Sequence, residues 1–168
     1  MRGSKRNSAA LPVLVVDDEA YALKGYELQL IGEGIENIIC CQSGEEALDI
    51  LSGQRVSLVL LDLRMPGISG EDLLTRVIAR FPEIPVVVIT GIDDTATAVR
   101  CMKAGAFDYI VKPVEQTRLI TIVNKALEFY ELRCENILLK GSILGGNLLH
   151  PEAFAGIITK KRENAGHI

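Results

Sequence analysis

Ser57-Leu58-Val59-Leu60-Leu61-Asp62-Leu63-Arg64-Met65-Pro66-Gly67-Ile68-Ser69-Gly70-Glu71-Asp72 is the stretch whose reading decides the fold. Residues 57–61 form an apolar run of strand length, and the lack of alternation marks a strand buried on both faces. Pro66-Gly67 is turn chemistry: proline presets φ, and glycine suits the next position of a tight turn. Ser69 to Asp72 has the spacing of a capping box, in which a hydroxyl and a carboxylate satisfy first-turn amides. Leu73, Leu74, Val77 and Ile78 then recur at helical period. The order is strand, acid, turn, helix, and it leaves Asp62 at the carboxyl end of the strand.

The same order repeats in both directions. Apolar runs at 11–16, 37–41, 85–90 and 107–111 are short and mostly rich in Val, Ile or Leu. Ser43-Gly44-Glu45-Glu46 carries another capping-box spacing, with Ala47, Leu48 and Leu51 as the buried stripe of its helix. A fifth helical stretch follows Pro113 and runs well past residue 130. Five strands alternating with five helices predict an α/β fold, a doubly wound five-stranded parallel sheet covered on both faces. The functional crevice of such a sheet lies at the carboxyl ends of its strands. Asp17, Asp18 and Glu19 end the first strand, Asp62 the third, Thr90 the fourth and Lys112 the fifth. All fall on one edge.

Three carboxylates converging there would repel one another, and a divalent cation removes that penalty. Oxygen ligands of this kind suit Mg²⁺. A carboxylate beside the metal can attack phosphorus as a nucleophile. Lys112 is placed to stabilise the charge that develops, and the Thr90 hydroxyl can bond a phosphoryl oxygen. Singly, each residue has an ordinary explanation: a solvated turn, a helix cap, β-propensity or a surface lysine. Their agreement on one sheet edge favours the functional reading.

At these residues the chain resembles the receiver-domain family of bacterial response regulators, the relatives of CheY. The resemblance covers about residues 11–130. It rests on Val15-Val16-Asp17-Asp18-Glu19, the segment from Leu60 to Gly70, Thr90-Gly91, and Gly105-Ala106-Phe107-Asp108-Tyr109-Ile110-Val111-Lys112-Pro113. It implies strand order 2-1-3-4-5 with an extended last helix, and Asp62 as the acceptor of a phosphoryl group from a sensor histidine kinase. It further implies that Asp18, Asp62 and the backbone carbonyl of Arg64 bind Mg²⁺ directly, while Asp17 acts largely through a bound water. Thr90 and Tyr109 are the implied switch pair: phosphorylation adds roughly two negative charges, Thr90 moves toward them, and Tyr109 enters the vacated space. The face of the fourth helix, fifth strand and fifth helix would change.

A narrower likeness is to NtrC-type regulators, through Asp62-Leu63-Arg64-Met65-Pro66-Gly67, Thr90-Gly91-Ile92-Asp93-Asp94 and Ala98-Val99. Phe154-Ala155-Gly156-Ile157-Ile158-Thr159 resembles the start of their ATPase domain. No Gly-x-x-x-x-Gly-Lys loop follows, so the chain is expected to be a signalling domain and not an ATPase. Either it is part of a longer protein or it lacks the downstream domains. A haloacid-dehalogenase-type phosphatase would need a second aspartate two residues after the first, and position 19 is Glu. A flavodoxin-like carrier would need a loop that welcomes a flavin phosphate, which a triple-acid loop repels. A degenerate receiver that only binds partners would not need all five site residues.

Composition narrows the rest. A net charge of −4 and a pI near 5.3 predict no direct nucleic-acid contact by this chain. No apolar run approaches a membrane span, and no signal core follows Met1, so a cytoplasmic protein is expected. Cys40, Cys41, Cys101 and Cys134 lack metal-ligand spacing and are read as buried free thiols. Residues 1–10 are read as a loose tail, 11–130 as the receiver, and 131–168 as a helical linker leading into a further region. Leu119, Val123, Ala126 and Tyr130 have the spacing of a coiled-coil seam, resuming at Cys134, Ile137 and Leu138. A helix over 115–138 would be roughly 35 Å long at about 1.5 Å per residue. Leu119 to Ala126 are expected to pack on the sheet, whereas beyond Tyr130 the stripe outruns it. A homodimer through the last helix is expected, the alternative being that residues 139–168 fold back over the stripe. Gly141, Gly145 and Gly146 end the regularity.

Overall fold

The computed structural model describes residues 10–143. The tail through residue 9, Gly145, Gly146 and the segment from Phe154 to Thr159 lie outside the described residues. Five strands and five helices alternate: β1 Val13–Val16, α1 Ala20–Gly32, β2 Ile38–Cys41, α2 Gly44–Gly53, β3 Leu58–Leu61, α3 Gly70–Arg80, β4 Val86–Thr90, α4 Thr95–Ala104, β5 Asp108–Val111 and α5 Gln116–Ile143. The strands form one parallel sheet in the order β2-β1-β3-β4-β5, as the resemblance implied. Each strand starts one or two residues later than its apolar run. The run's entry residues still feed the ladder, as Ser57 does by donating its amide to the Pro12 carbonyl at 2.9 Å.

The core of one sheet face gathers Val13, Val15, Leu58, Leu60, Val87, Ile89 and Ile110 under α1 and α5. The alternate residues Leu14, Val16, Val59, Leu61 and Val88 are equally buried, so β1, β3 and β4 are covered on both faces. The edge strands β2 and β5 are only half-buried at most positions, which the apolar runs did not reveal. Cys40 and Cys134 are accordingly half-covered, while Cys41 and Cys101 are buried, so only two of the four thiols are core residues. Burial pushes the Cys41 thiol up to about 12, where it is inert at neutral pH.

Both capping serines act as expected. Ser43 accepts from the Glu46 amide at 3.2 Å and Ser69 from the Asp72 amide at 3.1 Å. The Glu46 carboxylate reaches back to the amide of Gln42, one residue before the cap itself. Gly70, where α3 begins, touches the loop behind Asp62: a Cβ there would stand 2.3 Å from Leu63 Cα and 2.9 Å from the Asp62 carbonyl oxygen. Only glycine lets α3 start this close, and the Gly70 amide donates to Leu63 across that contact at 3.2 Å. Gly67 has φ +86, the value the Pro-Gly turn requires.

The described residues fall into two units, divided between Leu132 and Arg133. Within the first, Leu119, Val123, Ala126 and Tyr130 all belong to the core, with Ile122 and Leu127 beside them. Leu119 to Ala126 pack on the sheet as expected, and burial runs one turn further to Tyr130, so the seam is corrected at that residue alone. Phe129 and Leu132 remain exposed. In the second unit Ile137 and Leu139 are exposed, and the helix continues through Gly141 to Ile143, one turn beyond the expected break. No helix among the described residues is long and apolar enough to cross a membrane.

Candidate functional site

Parallel register builds the site. Val16 of β1 pairs with Leu61 of β3, so the next residues, Asp17 and Asp62, leave the sheet side by side. The Asp62 amide donates to Val16 at 2.9 Å, which fixes that alignment. Thr90 pairs with Val111, and the Lys112 amide donates to the Thr90 carbonyl at 2.9 Å. Asp17, Asp62 and Lys112, separated by as many as 95 residues, thus share one crevice.

Asp17, Asp18 and Asp62 each offer a carboxylate oxygen, and the three oxygens lie within 4.8 Å of one another. Asp17 and Asp62 are buried, whereas Asp18 is exposed. Asp17 has both oxygens engaged: Oδ1 accepts the Glu19 amide at 2.9 Å and Oδ2 accepts Lys112 Nζ at 2.8 Å. Asp62 Oδ1 accepts the Arg64 amide at 3.1 Å, and Oδ2 accepts Lys112 Nζ at 3.2 Å. One ammonium therefore bridges the acids of β1 and β3. Burial alone would lower the Lys112 pKa; the bond to Asp17 and the negative groups around it outweigh burial and hold the ammonium well above its usual range. A raised pKa means the lysine's contribution is complete below the ordinary lysine range and is lost only as pH climbs through the higher folded-state value. At neutral pH Lys112 is a fixed cation.

Three carboxylates against one lysine leave the cluster with two formal negative charges. Hard oxygen donors with an excess of negative charge fit a small divalent cation, and Mg²⁺ is the ion that tolerates so few protein ligands. The Lys112–Pro113 peptide is cis, and Lys112 also lines an open cavity of about 340 Å³ with Glu19, Tyr26 and Gln29.

Thr90 is fully buried, and its hydroxyl accepts the Ile92 amide at 3.3 Å. The Tyr109 hydroxyl donates to the Ile92 carbonyl at 2.6 Å. The two expected switch side chains thus hold the same residue of the β4–α4 loop from opposite polar groups. Ile92 escaped the sequence reading because its part is played by backbone atoms, which carry no residue signature. The contact of Lys112 with Asp17 was also missed: it depends on strand register, and no local motif encodes it.

The family model of the response regulator receiver domain matches residues 13–124. A putative NtrX-like response regulator of Rickettsia felis is 38% identical over 136 residues, covering 80% of this chain and 28% of that protein. The DNA-binding transcriptional regulator NtrC of Klebsiella pneumoniae is 34% identical over 117 residues, covering 70% and 25%. Among solved structures, NtrX from Brucella abortus in complex with ATP superposes with a TM-score of 0.71 at 34% identity, over 77% of this chain and 30% of that one. A receiver domain from Clostridium thermocellum gives a TM-score of 0.68 at 32% identity, over 73% and 98%. The chain spans little more than a quarter of the length of those regulators.

Proposed function

From the premise that the chain belongs to the response regulator receiver domain family, of the NtrC/NtrX type, we propose that Asp62 is its phosphoacceptor and that phosphorylation requires Mg²⁺. The observation that carries this reading is the convergence of Asp17, Asp18, Asp62 and Lys112 on one crevice. A carboxylate oxygen of Asp62 attacks the phosphorus of the donor, a phosphohistidine of a sensor kinase, and the bond to the donor nitrogen breaks with its electron pair staying on nitrogen. Bound Mg²⁺ would supply positive charge for the phosphoryl oxygens. Asp18, Asp62 and the Arg64 carbonyl are its proposed ligands. Asp17, with both oxygens already engaged, supports them from behind. Lys112 exchanges its carboxylate partners for the incoming phosphoryl group, and Thr90 and Tyr109 let go of Ile92 as the switch proceeds. The face of α4, β5 and α5 then signals to an output region, with transcription control as the proposed outcome and the cytoplasm as the proposed compartment.

Acetyl phosphate with and without Mg²⁺ tests this directly: one phosphoryl group per chain with the metal and none without it is expected. A chain that never takes label is a degenerate receiver instead. Asp18→Ala should weaken Mg²⁺ binding by about tenfold or more while leaving the fold intact, because Asp18 is exposed and its removal strips charge from the site. Calorimetric titration with Mg²⁺ checks it, and parent-like affinity would remove Asp18 from the ligand set.

The proposed homodimer now rests on fewer residues. Leu132 and Leu139 are exposed apolar side chains on α5, and a partner helix would cover them. Light scattering should give the mass of two chains for the parent and one for the combined Leu132→Glu, Leu139→Glu variant. A monomeric parent well above micromolar concentration would rule the dimer out.

A further inference from the structure

α4 buries only Thr97 and Cys101 of its ten residues, and Val99 and Met102 lie exposed. A helix that buries so little apolar surface depends on polar tethers to hold its position. Four such tethers are present. Two act on the loop before it, where Thr90 and Tyr109 both bond Ile92. Asp94 caps the helix, accepting the Ala96 amide at 3.2 Å and the Thr97 amide at 3.1 Å. The last tether ties α4 to α3: Arg100 donates Nε and Nη2 to the two oxygens of Glu71, each at 3.0 Å.

These last two are one connected chain. Arg100 Nη2 also donates to the Thr97 hydroxyl at 2.9 Å, and that buried hydroxyl donates onward to the capping Asp94 carboxylate. A hydroxyl that accepts from one partner and donates to another has its rotor set by both. Arg100 holds the Glu71 carboxyl below its usual range, and the Thr97 bonds do the same for Asp94, so both acids are charged at neutral pH.

We propose that the Glu71–Arg100–Thr97–Asp94 chain is a clasp that holds α4 against α3 in the unphosphorylated state and so sets the resting bias of the switch. The proposal rests on the phosphoacceptor reading above. When Thr90 turns toward a phosphoryl group and Tyr109 follows, both Ile92 tethers are lost, and the clasp is the polar tether left opposing a shift of α4 toward its signalling position. An interaction made in only one of two states shifts the balance between them by its own strength. With Arg100 56% and Glu71 41% exposed, that strength is the modest one of a surface ion pair.

The test uses the full chain with Mg²⁺ and beryllofluoride as the phosphoryl mimic, followed by the backbone amide signals of Ala96 and Thr97. Arg100→Met and Glu71→Gln, neither of which touches the acidic cluster, should each move the beryllofluoride midpoint to roughly two- to fivefold lower concentration. The combined variant should move it no further than the larger single shift, since the residues act through one contact. In about 1 M salt, where the Debye length falls to about 3 Å, the gap between parent and variants should narrow. Midpoints equal to the parent's, or shifts to higher concentration, overturn the clasp. A parent that gives no response to beryllofluoride and Mg²⁺ overturns the phosphoacceptor reading instead, and the clasp with it.

Discussion

Asp62→Asn abolishes phosphoryl incorporation: intact mass after incubation with acetyl phosphate and Mg²⁺ is expected to show unmodified chain only. The amide oxygen of asparagine can still accept the Arg64 amide that Asp62 Oδ1 accepts at 3.1 Å, so the loop keeps its local bond. Lys112 keeps Asp17 as a partner at 2.8 Å. The substitution therefore removes the nucleophile and leaves the scaffold, and circular dichroism should be parent-like. The two neighbouring acids are poor substitutes. Asp17 has both oxygens committed to Glu19 and Lys112, and Asp18 stands exposed at the mouth of the crevice. Label that persists in Asp62→Asn would mean that one of them accepts the group, and the assignment of Asp62 would be wrong.

Lys112→Ala should lower the phosphorylation rate by about two to three orders of magnitude, the cost of losing one preorganised donor to the developing charge. Rapid-quench measurement with a small phosphodonor checks the rate. The same change leaves Asp17 and Asp62 buried with no cation between them. Removing one partner of a buried ion pair typically costs about 3–5 kcal/mol, and the partial exposure of Lys112 places this site at or below the lower end. Mg²⁺ can replace the lost positive charge, so the metal should bind at least as well as to the parent and should restore part of the stability. Slow phosphorylation with undiminished Mg²⁺ affinity is the expected combination. An unaltered rate would take Lys112 out of the chemistry. Loss of metal binding would make it a structural residue of the site.

Much of the fold was legible because local signals agreed. The apolar runs at 11–16, 57–61 and 85–90 each contain a buried strand, and Ser43 and Ser69 cap the helices that their spacing predicted. Capping, turns and strand burial act over a few residues, so the sequence carries them directly. Edges and surfaces were less legible. Ile38, Ile39 and Cys40 read like core strand residues yet are half-exposed, because strand order, and not composition, decides which strand is outermost. The stripe from Leu119 to Tyr130 fitted a coiled-coil seam over a few turns, since periods of 3.5 and 3.6 differ little at that length. Its first two turns were legible as sheet packing, but the burial of Tyr130 beyond them could be read only once β1, β3, β4 and β5 were in place.

The sequence by itself determined the element order, the parallel α/β class and the set of polar residues that end the strands, because each follows from local periodicity and from the rule that crossover connections return along one direction. Tertiary structure alone decided which of those residues touch. Register set Asp17 beside Asp62 and brought Lys112 onto both, joining residues 95 positions apart. It also placed Ile92 between Thr90 and Tyr109, and Glu71 within reach of Arg100 across two helices. These contacts depend on the angles and offsets of packed elements, which are fixed by the whole core acting together and by no stretch of chain on its own.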